Sequence, residues 1–305
     1  STTLPSMAIG YQAAVDGLLA FSASRYSADL TGKDSNGHTN ASNLGFSLSA
    51  TQADYRAFLM YHARFERGNE SVPNTTPDKR ETEFFGGVST PFGTIGYGRQ
   101  ASFYRKAGQE LDPFYDTSVV GFNGVFAAEG ASYGLSNLSN GYNDDTLAYA
   151  SPSFGGLSLR ASWFRDTGDS RADEDYGLGL RYAPEGGAVV AGVEVVDSQG
   201  ADAVFGVGKR TSFEAIRVYG SYRWEALLLG ASLEQVDVEN EADERKYALL
   251  SASYGLAPKL TLATSFGLLK DVVPNAAANP DGIDGQGLTA GAFYEATPRL
   301  TTYAA

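Results

Sequence analysis

Apolar and polar residues alternate along most of this 305-residue chain. In one stretch, Leu157, Leu159 and Ala161 occupy one side of an extended backbone, while Ser158 and Arg160 occupy the other. A period of two predicts β-strands that are apolar on one face. The same pattern recurs at residues 55–63, 176–182, 216–224 and 248–254.

Two kinds of connection separate the alternating segments. Seven short turns lie at residues 52–54, 90–93, 152–156, 183–187, 225–226, 257–259 and 297–299. Seven long polar loops lie at residues 32–42, 68–80, 101–144, 166–174, 197–211, 237–245 and 272–286. Fourteen strictly alternating connections join fifteen segments, with short turns at one end and long loops at the other. This arrangement predicts an all-β fold, a transmembrane antiparallel β-barrel.

A soluble β-sandwich or propeller is the alternative to a membrane barrel. The predicted strands average about ten residues, which suits a tilted membrane crossing better than the five to six usual in soluble sheets. Aromatic residues also stand at the ends of the apolar rows, where the membrane interfaces would be. They are Trp163, Tyr176, Tyr182, Trp224, Tyr254 and Tyr294. Both features favour the membrane barrel, and no propeller repeat is present.

Composition excludes several other classes of protein. No run of about 18 apolar residues occurs, so a helical membrane protein is excluded. The mean hydropathy of −0.22 is compatible with a barrel, because every second strand residue faces the lumen. The net charge of −13 argues against a nucleic-acid partner. The absence of cysteine is compatible with an exported protein.

The number of strands leads to a further expectation. Single-chain bacterial barrels use an even number of strands, because an open sheet edge cannot be satisfied in lipid. The last segment, residues 300–305, ends in mid-strand. We therefore expect a sixteen-stranded barrel, of which fifteen strands are present and the C-terminal strand is missing.

Three segments resemble the general trimeric porins of the Gram-negative outer membrane. FGGVSTPFGTIGYGRQ at 85–100 is similar to that family's turn and fifth strand, and DTLAYASPSFGGL at 145–157 is similar to its next hairpin. TPRLTTYAA at 297–305 resembles the family's penultimate strand. The resemblance implies one porin domain over residues 1–305, a bacterial outer-membrane location and a homotrimer. It also implies contact with lipopolysaccharide and outer-membrane lipid.

The resemblance gives the longest loop a role, because the third external loop of these porins folds into the barrel and narrows it. Residues 101–144 are too long for an ordinary hairpin loop and too aromatic for a disordered one. They contain Phe103, Tyr104, Phe114, Tyr115, Phe122, Phe126 and Tyr133. Such a loop needs a surface to pack on, and the barrel interior offers one. The alternative is an ordered external cap.

Charged residues on this loop and on the lumen face of the strands are candidates for a pore constriction. The candidate acids are Glu110, Asp112, Asp116 and Glu129, and the candidate arginines are Arg56, Arg64 and Arg99. Further lumen-lining candidates are His62, Arg160, Arg181, Arg217 and Arg223. Opposed acids and arginines create a transverse field that selects ions. The alternative is that these are ordinary polar wall residues. Arg99 comes from the resemblance alone, since alternation puts it on the side of Ile95 and Tyr97.

The leading hypothesis is a water-filled channel for passive diffusion of ions and small hydrophilic solutes, with a weak cation preference suggested by the acidic composition. The alternatives are a substrate-specific outer-membrane channel and a structural envelope barrel. An enzyme is not expected, because His38 and His62 are the two histidines and neither has the sequence context of a catalytic base. No cofactor is expected. A divalent cation could bind the acidic external loops 166–175 and 237–245, for which solvation is the alternative explanation.

Overall fold

A computed structural model describes residues 9–18, 43–64, 81–115, 134–136, 142–164, 175–201, 211–272 and 282–304. Within these ranges, fifteen strands form one sheet in which every strand pairs with its neighbours in sequence order. All fourteen pairings are antiparallel. The predicted up-and-down order of fifteen strands is therefore confirmed, while the sixteenth strand stays a prediction.

In the part of the chain that the structure describes, the elements follow one another with one short helix between the fifth and sixth strands. They are β1 (Gly10–Leu18), β2 (Asn43–Gln52), β3 (Tyr55–Arg64), β4 (Glu81–Thr90), β5 (Gly93–Ala101), α1 (Phe103–Gln109), β6 (Tyr142–Ala150), β7 (Leu157–Phe164), β8 (Asp175–Tyr182), β9 (Val189–Ala201), β10 (Thr211–Trp224), β11 (Leu227–Val238), β12 (Arg245–Ala257), β13 (Leu260–Val272), β14 (Ile283–Thr297) and β15 (Leu300–Ala304). No helix in the described ranges combines the length and hydropathy needed to cross a membrane.

One face of the sheet exposes apolar side chains, and the other buries charged ones. On β11, Leu233 is 67% exposed, whereas the neighbouring Glu234 is only 4% exposed. Ile216 and Val218 on β10 are likewise exposed, while Arg217 between them is buried. A soluble protein buries its leucines and exposes its glutamates. The opposite arrangement is what a barrel wall requires when lipid covers its outer face.

The short turns are tight because individual residues adopt left-handed backbone conformations. Ala53 has a φ of 51° between β2 and β3, and Glu225 has a φ of 50° between β10 and β11. Positive φ is needed in two-residue turns whose twist matches that of the flanking strands. In the second turn, Trp224 pairs directly with Leu227, which fixes the register of the whole hairpin.

The long connection after β5 returns to the inner face of the sheet. Ser102 caps the N-terminus of helix α1, since its Oγ accepts a hydrogen bond from the backbone N–H of Arg105 at 2.9 Å. Beyond the helix, Leu111 packs in one apolar cluster with Tyr219 and Leu249 of the wall. Phe114 then lies with its ring centroid 5.5 Å from that of Phe293 on β14. The described part of this loop thus lies on the inner face, which confirms that it folds inward.

Candidate functional site

A row of inward-facing side chains crosses the middle of the wall beneath helix α1. From β7 to β11, directly paired residues are Arg160, Gly179, Glu194, Arg217 and Glu234. Arginines and glutamates therefore alternate across neighbouring strands, with a glycine at one position. Opposite charges on directly paired positions attract, which stabilises the pairing. We call these five residues the charged row.

Gly179 leaves the space that the first ion pair of the charged row needs. A Cβ atom at this position would overlap the Glu194 carboxylate, which lies over the glycine. The carboxylate thereby reaches past β8, and Arg160 Nη1 lies 3.3 Å from Glu194 Oε1. Tyr219 also donates its hydroxyl to this oxygen at 3.4 Å. A glycine in the middle of a strand is thus explained by the close approach of a neighbouring side chain.

Replacing Gly179 with alanine is therefore expected to displace Glu194 from Arg160. Glu194 is buried, so weakening its pairing should reduce the free energy of unfolding by about 1–3 kcal/mol. Urea unfolding followed by tryptophan fluorescence measures this change. Gly96→Ala is the matched control, because a Cβ there meets nothing closer than 3.7 Å. Equal stability of the two variants would contradict the explanation.

The second ion pair of the charged row joins the wall to both arms of the inward loop. Arg217 Nη2 lies 2.8 Å from Glu234 Oε2, and both side chains are 0% exposed. From the outgoing arm, Tyr104 donates its hydroxyl to Glu234 Oε1 at 2.9 Å. From the returning arm, the backbone N–H of Ser136 donates to Glu234 Oε2 at 3.0 Å. We call Tyr104, Ser136, Arg217 and Glu234 the loop anchor.

Arg217 binds the same loop in two further ways. Its Nη1 donates to the backbone carbonyl of Tyr104 at 2.6 Å, and its guanidinium lies 4.2 Å from the centroid of the Tyr104 ring. A planar guanidinium is suited to both contacts at once. Helix α1 can approach so closely because residue 108 is glycine, where a Cβ would lie 2.6 Å from Arg217 Nη1.

Contacts beyond the helix extend the attachment of the loop along the wall. Glu110 Oε2 lies 2.8 Å from Arg181 Nη1, and Ser251 donates its hydroxyl to the carbonyl of Leu111 at 2.5 Å. The Glu110 side chain remains 47% exposed. Asp112 is buried instead, and its Oδ1 accepts a hydrogen bond from the backbone N–H of Phe114 at 3.0 Å. Of these two predicted constriction acids, Glu110 alone presents a carboxylate to water.

Lys106 lies on another side of helix α1. Its ammonium is 5.9 Å from the centroid of the Phe85 ring, on the lumen face of β4. Burial lowers the pKa of Lys106 from its ordinary value, while the negative charge of Glu83 opposes that shift. The helix therefore brings a cation close to strand β4.

The remaining predicted constriction residues are not gathered at the loop anchor. Asp116 and Glu129 lie outside the described residues, as does the side chain of Arg64 on β3. Arg56 lies on β3 near its short-turn end, where it is exposed.

Arg99 is placed elsewhere than predicted. It is paired directly with Phe84, whose ring contacts that of Tyr61 on the outer face, and its Nη1 lies 2.6 Å from Asp144 Oδ1. The pairing with β6 shifts register between Gly98 and Gln100, and this irregularity does not turn Arg99 inward.

The further lumen-lining candidates divide into covered and open residues. Arg160, Arg181 and Arg217 face inward, but each has a glutamate partner, and Arg217 is completely covered by the loop. Arg223 lies two residues before the short turn at residues 225–226 and is exposed. His62 lies half-buried on β3.

Sequence reasoning missed the wall acids Glu194 and Glu234 and the loop residues Lys106 and Ser136, and it named Tyr104 only as one of the loop aromatics that need a surface to pack on. Alternation along β9 and β11 places the two acids on the same inner face as their arginine partners, so alternation could have identified them. No three His, Cys, Asp or Glu side chains in the described ranges are grouped as a metal site would require. The predicted cation at loop 166–175 lies mostly outside those ranges and stays a prediction.

Comparisons with known proteins agree with this architecture. The family model described as Gram-negative porin matches residues 2–305. Among solved structures, the anion-selective porin from Comamonas acidovorans has a TM-score of 0.73 and 18% identity, covering 96% of this chain and 87% of that one. A loop-deletion form of the outer-membrane protein OmpT of Vibrio cholerae has a TM-score of 0.67 and 15% identity, covering 96% and 91%. OmpF of Salmonella typhi, in complex with daunomycin, has a TM-score of 0.62 and 17% identity, covering 97% and 88%. No curated protein sequence is similar enough to count as a match.

Proposed function

Because the chain belongs to the Gram-negative porin family and is therefore an outer-membrane channel for passive diffusion, we propose that its inward loop forms the constriction of a water-filled pore. The observation that carries this proposal is the loop anchor, where one buried carboxylate binds both arms of the loop. A loop fastened at both arms narrows the lumen at a fixed position. Rigid attachment is what a constriction needs in order to discriminate between solutes.

Ion preference follows from which charges remain open to water. Arg160 and Arg217 are paired with glutamates of the wall, and the second pair is wholly covered. Such pairs contribute little net field to the lumen, since their charges cancel at close range. Glu110 stays partly exposed although it is paired with Arg181, and Arg56 and Arg223 are exposed as well, so the sign of the preference rests on the net charge of the chain, −13. This net charge supports a preference for cations, in contrast to the relative that is named anion-selective.

Recordings from planar bilayers test the proposed pore. The refolded protein should insert in discrete conductance steps, and in a KCl gradient the reversal potential should give a K⁺ to Cl⁻ permeability ratio of about 2 or more, as acidic lumen residues favour cations. The absence of steps would contradict the channel. A ratio below one would contradict the cation preference while leaving the channel intact.

We also propose that the channel works as a homotrimer in contact with lipopolysaccharide and outer-membrane lipid. Support comes from the exposed apolar outer face, which needs lipid or protein to cover it. Another structure of OmpT from Vibrio cholerae, 15% identical with a TM-score of 0.64, is described as a trimer form. Migration of unheated samples in detergent gels should correspond to three chains. Migration as one chain would contradict the trimer.

One observation favours a substrate-specific channel as the second candidate. Phe58 and Phe85 lie on the lumen face with their ring centroids 6.1 Å apart, edge to face, and Lys106 lies close to the second ring. Aromatic faces beside a cation could retain one class of solute. Solute-dependent block of the ion current would support this function, and its absence across sugars and carboxylates would favour the general pore.

A further inference from the structure

Three titratable side chains form a second row on the lumen wall, away from the loop anchor. Asp16 on β1 pairs with Gly45 on β2, Gly45 pairs with His62 on β3, and His62 pairs with Glu83 on β4. Directly paired residues of an antiparallel sheet point to the same face. An imidazole therefore lies between two carboxylates across four neighbouring strands. We call Asp16, His62 and Glu83 the histidine row.

The face of the sheet that carries this row is the lumen face. Phe58 shares parity with His62 on β3, and Phe85 shares parity with Glu83 on β4. These two phenylalanines contact each other, and Lys106 of the inward helix lies over the second. Because the helix is inside the barrel, the histidine row faces the same water-filled space.

Gly45 allows the first carboxylate to approach the imidazole. A Cβ atom at residue 45 would overlap Asp16 Oδ1 and would lie 3.0 Å from His62 Cδ2. The Asp16 carboxylate thus leans over the glycine toward the histidine ring. The same arrangement occurs at Gly179, where the glycine lets the Glu194 carboxylate reach Arg160 beyond the next strand.

Other charged groups near the row are few among the described side chains. Glu83 Oε1 accepts a hydrogen bond from the backbone N–H of Ala101 at 3.0 Å, and its charge acts on Lys106 of α1. Arg64 and Glu81 are the next charged residues along β3 and β4, and their side chains lie outside the described residues. Within β2, the facing residue is Gly45, which carries no charge.

We infer that His62 sets the ion preference of the channel according to pH, an inference that rests on the proposed function. Histidine is the side chain whose ordinary range of protonation falls between about pH 5 and pH 8. With a neutral imidazole, the formal charges of Asp16, Glu83 and Lys106 sum to one negative charge. Protonation of His62 cancels that charge, and the wall then attracts cations less.

The effect reaches permeating ions because the row borders the lumen. Charges act over about 8–10 Å at ordinary ionic strength, so a charge on the lumen wall acts on ions that pass close to it. The chain contains two histidines, and the other, His38, belongs to a predicted external loop. Substituting each histidine in turn therefore shows which of the two, if either, carries a change in selectivity over this range.

Reversal potentials in a KCl gradient test the inference with the whole channel. For the parent protein, the K⁺ to Cl⁻ permeability ratio should fall about twofold between about pH 8 and about pH 5.5. His62→Asn should keep the high ratio at both pH values, and His62→Arg should show the low ratio at both. His38→Asn, the matched control, should behave like the parent.

Each outcome bears on a different claim. A parent channel whose ratio does not change with pH overturns the role of His62, as does a pH response that survives in both His62 variants. Loss of the pH response in the His38→Asn variant, with the response kept in both His62 variants, assigns the effect to the external loop instead. Failure to conduct at all contradicts the proposed function rather than this inference.

Discussion

Replacing Glu234 with alanine is expected to raise the single-channel conductance and to lower the free energy of unfolding by about 3–5 kcal/mol, the usual cost of removing one partner of a buried ion pair. Arg217 would stay buried without its carboxylate, and Tyr104 and Ser136 would each lose a hydrogen-bond acceptor. Both arms of the loop would then be held less firmly against the wall. Planar-bilayer recording measures the first effect, and urea unfolding measures the second.

Glu241→Ala is the matched control for this prediction. Glu241 also forms an ion pair through two hydrogen bonds with an arginine, Arg245, but Glu241 lies in the connection between β11 and β12, and Arg245 is the first residue of β12. Loss of this pair should change conductance little. Glu234→Gln keeps the oxygen acceptor and should fall between alanine and the parent. Unchanged conductance in Glu234→Ala would mean that the anchor does not position the loop.

Replacing Gly134 with valine is expected to release the returning arm of the loop alone. A Cβ at this position would overlap the carbonyl oxygen of Ala248 and lie 2.9 Å from Leu249 Cα, both of which are wall backbone and cannot move aside. Leu135 and Ser136, which are buried beside it, would be lifted from the wall. Forced overpacking of this kind costs about 1–3 kcal/mol.

Limited proteolysis measures that release. Chymotrypsin cleaves after aromatic residues and leucine, and Leu135, which is buried in the parent, lies on the returning arm. Cleavage there should be at least about tenfold faster in Gly134→Val, because about 1.4 kcal/mol of local destabilisation multiplies the open population by ten. Gly255→Ala on β12 is the control, since its Cβ meets nothing closer than 3.7 Å. Equal cleavage rates in the two variants would contradict the close packing of residue 134 against the wall backbone.

Much of the wall could be predicted because alternation decides which face a residue occupies. Ile216 and Val218 were assigned to the outside and Arg217 to the inside, as the structure has them. Even the partner of Arg217 was within reach of sequence reasoning. The two-residue turn pairs Trp224 with Leu227, and the same register continues along the hairpin to Arg217 and Glu234.

The details of the site depend on distances that alternation does not contain. Asp112 was expected to line the pore, but its carboxylate is buried within the loop, where it accepts a hydrogen bond from the backbone of that same loop. Arg99 was expected at the constriction from family resemblance, although its parity on β5 pointed outward, and parity proved the better guide. The role of Gly179 depends on the side chain of Glu194, its direct partner on the neighbouring strand, which lies over the glycine, and no local pattern reveals this.

The central claim, that the loop stands inside the conducting pore, can be tested by modifying a single thiol. The chain has no cysteine, so Glu110→Cys carries one reactive group on the exposed part of the loop, and Glu185→Cys carries one in a short turn as control. Addition of a bulky thiol reagent during recording should reduce the conductance of the Glu110→Cys channel by about half or more, because a constriction limits the current. It should leave the control unchanged. An undiminished current after complete modification at residue 110 would contradict the claim.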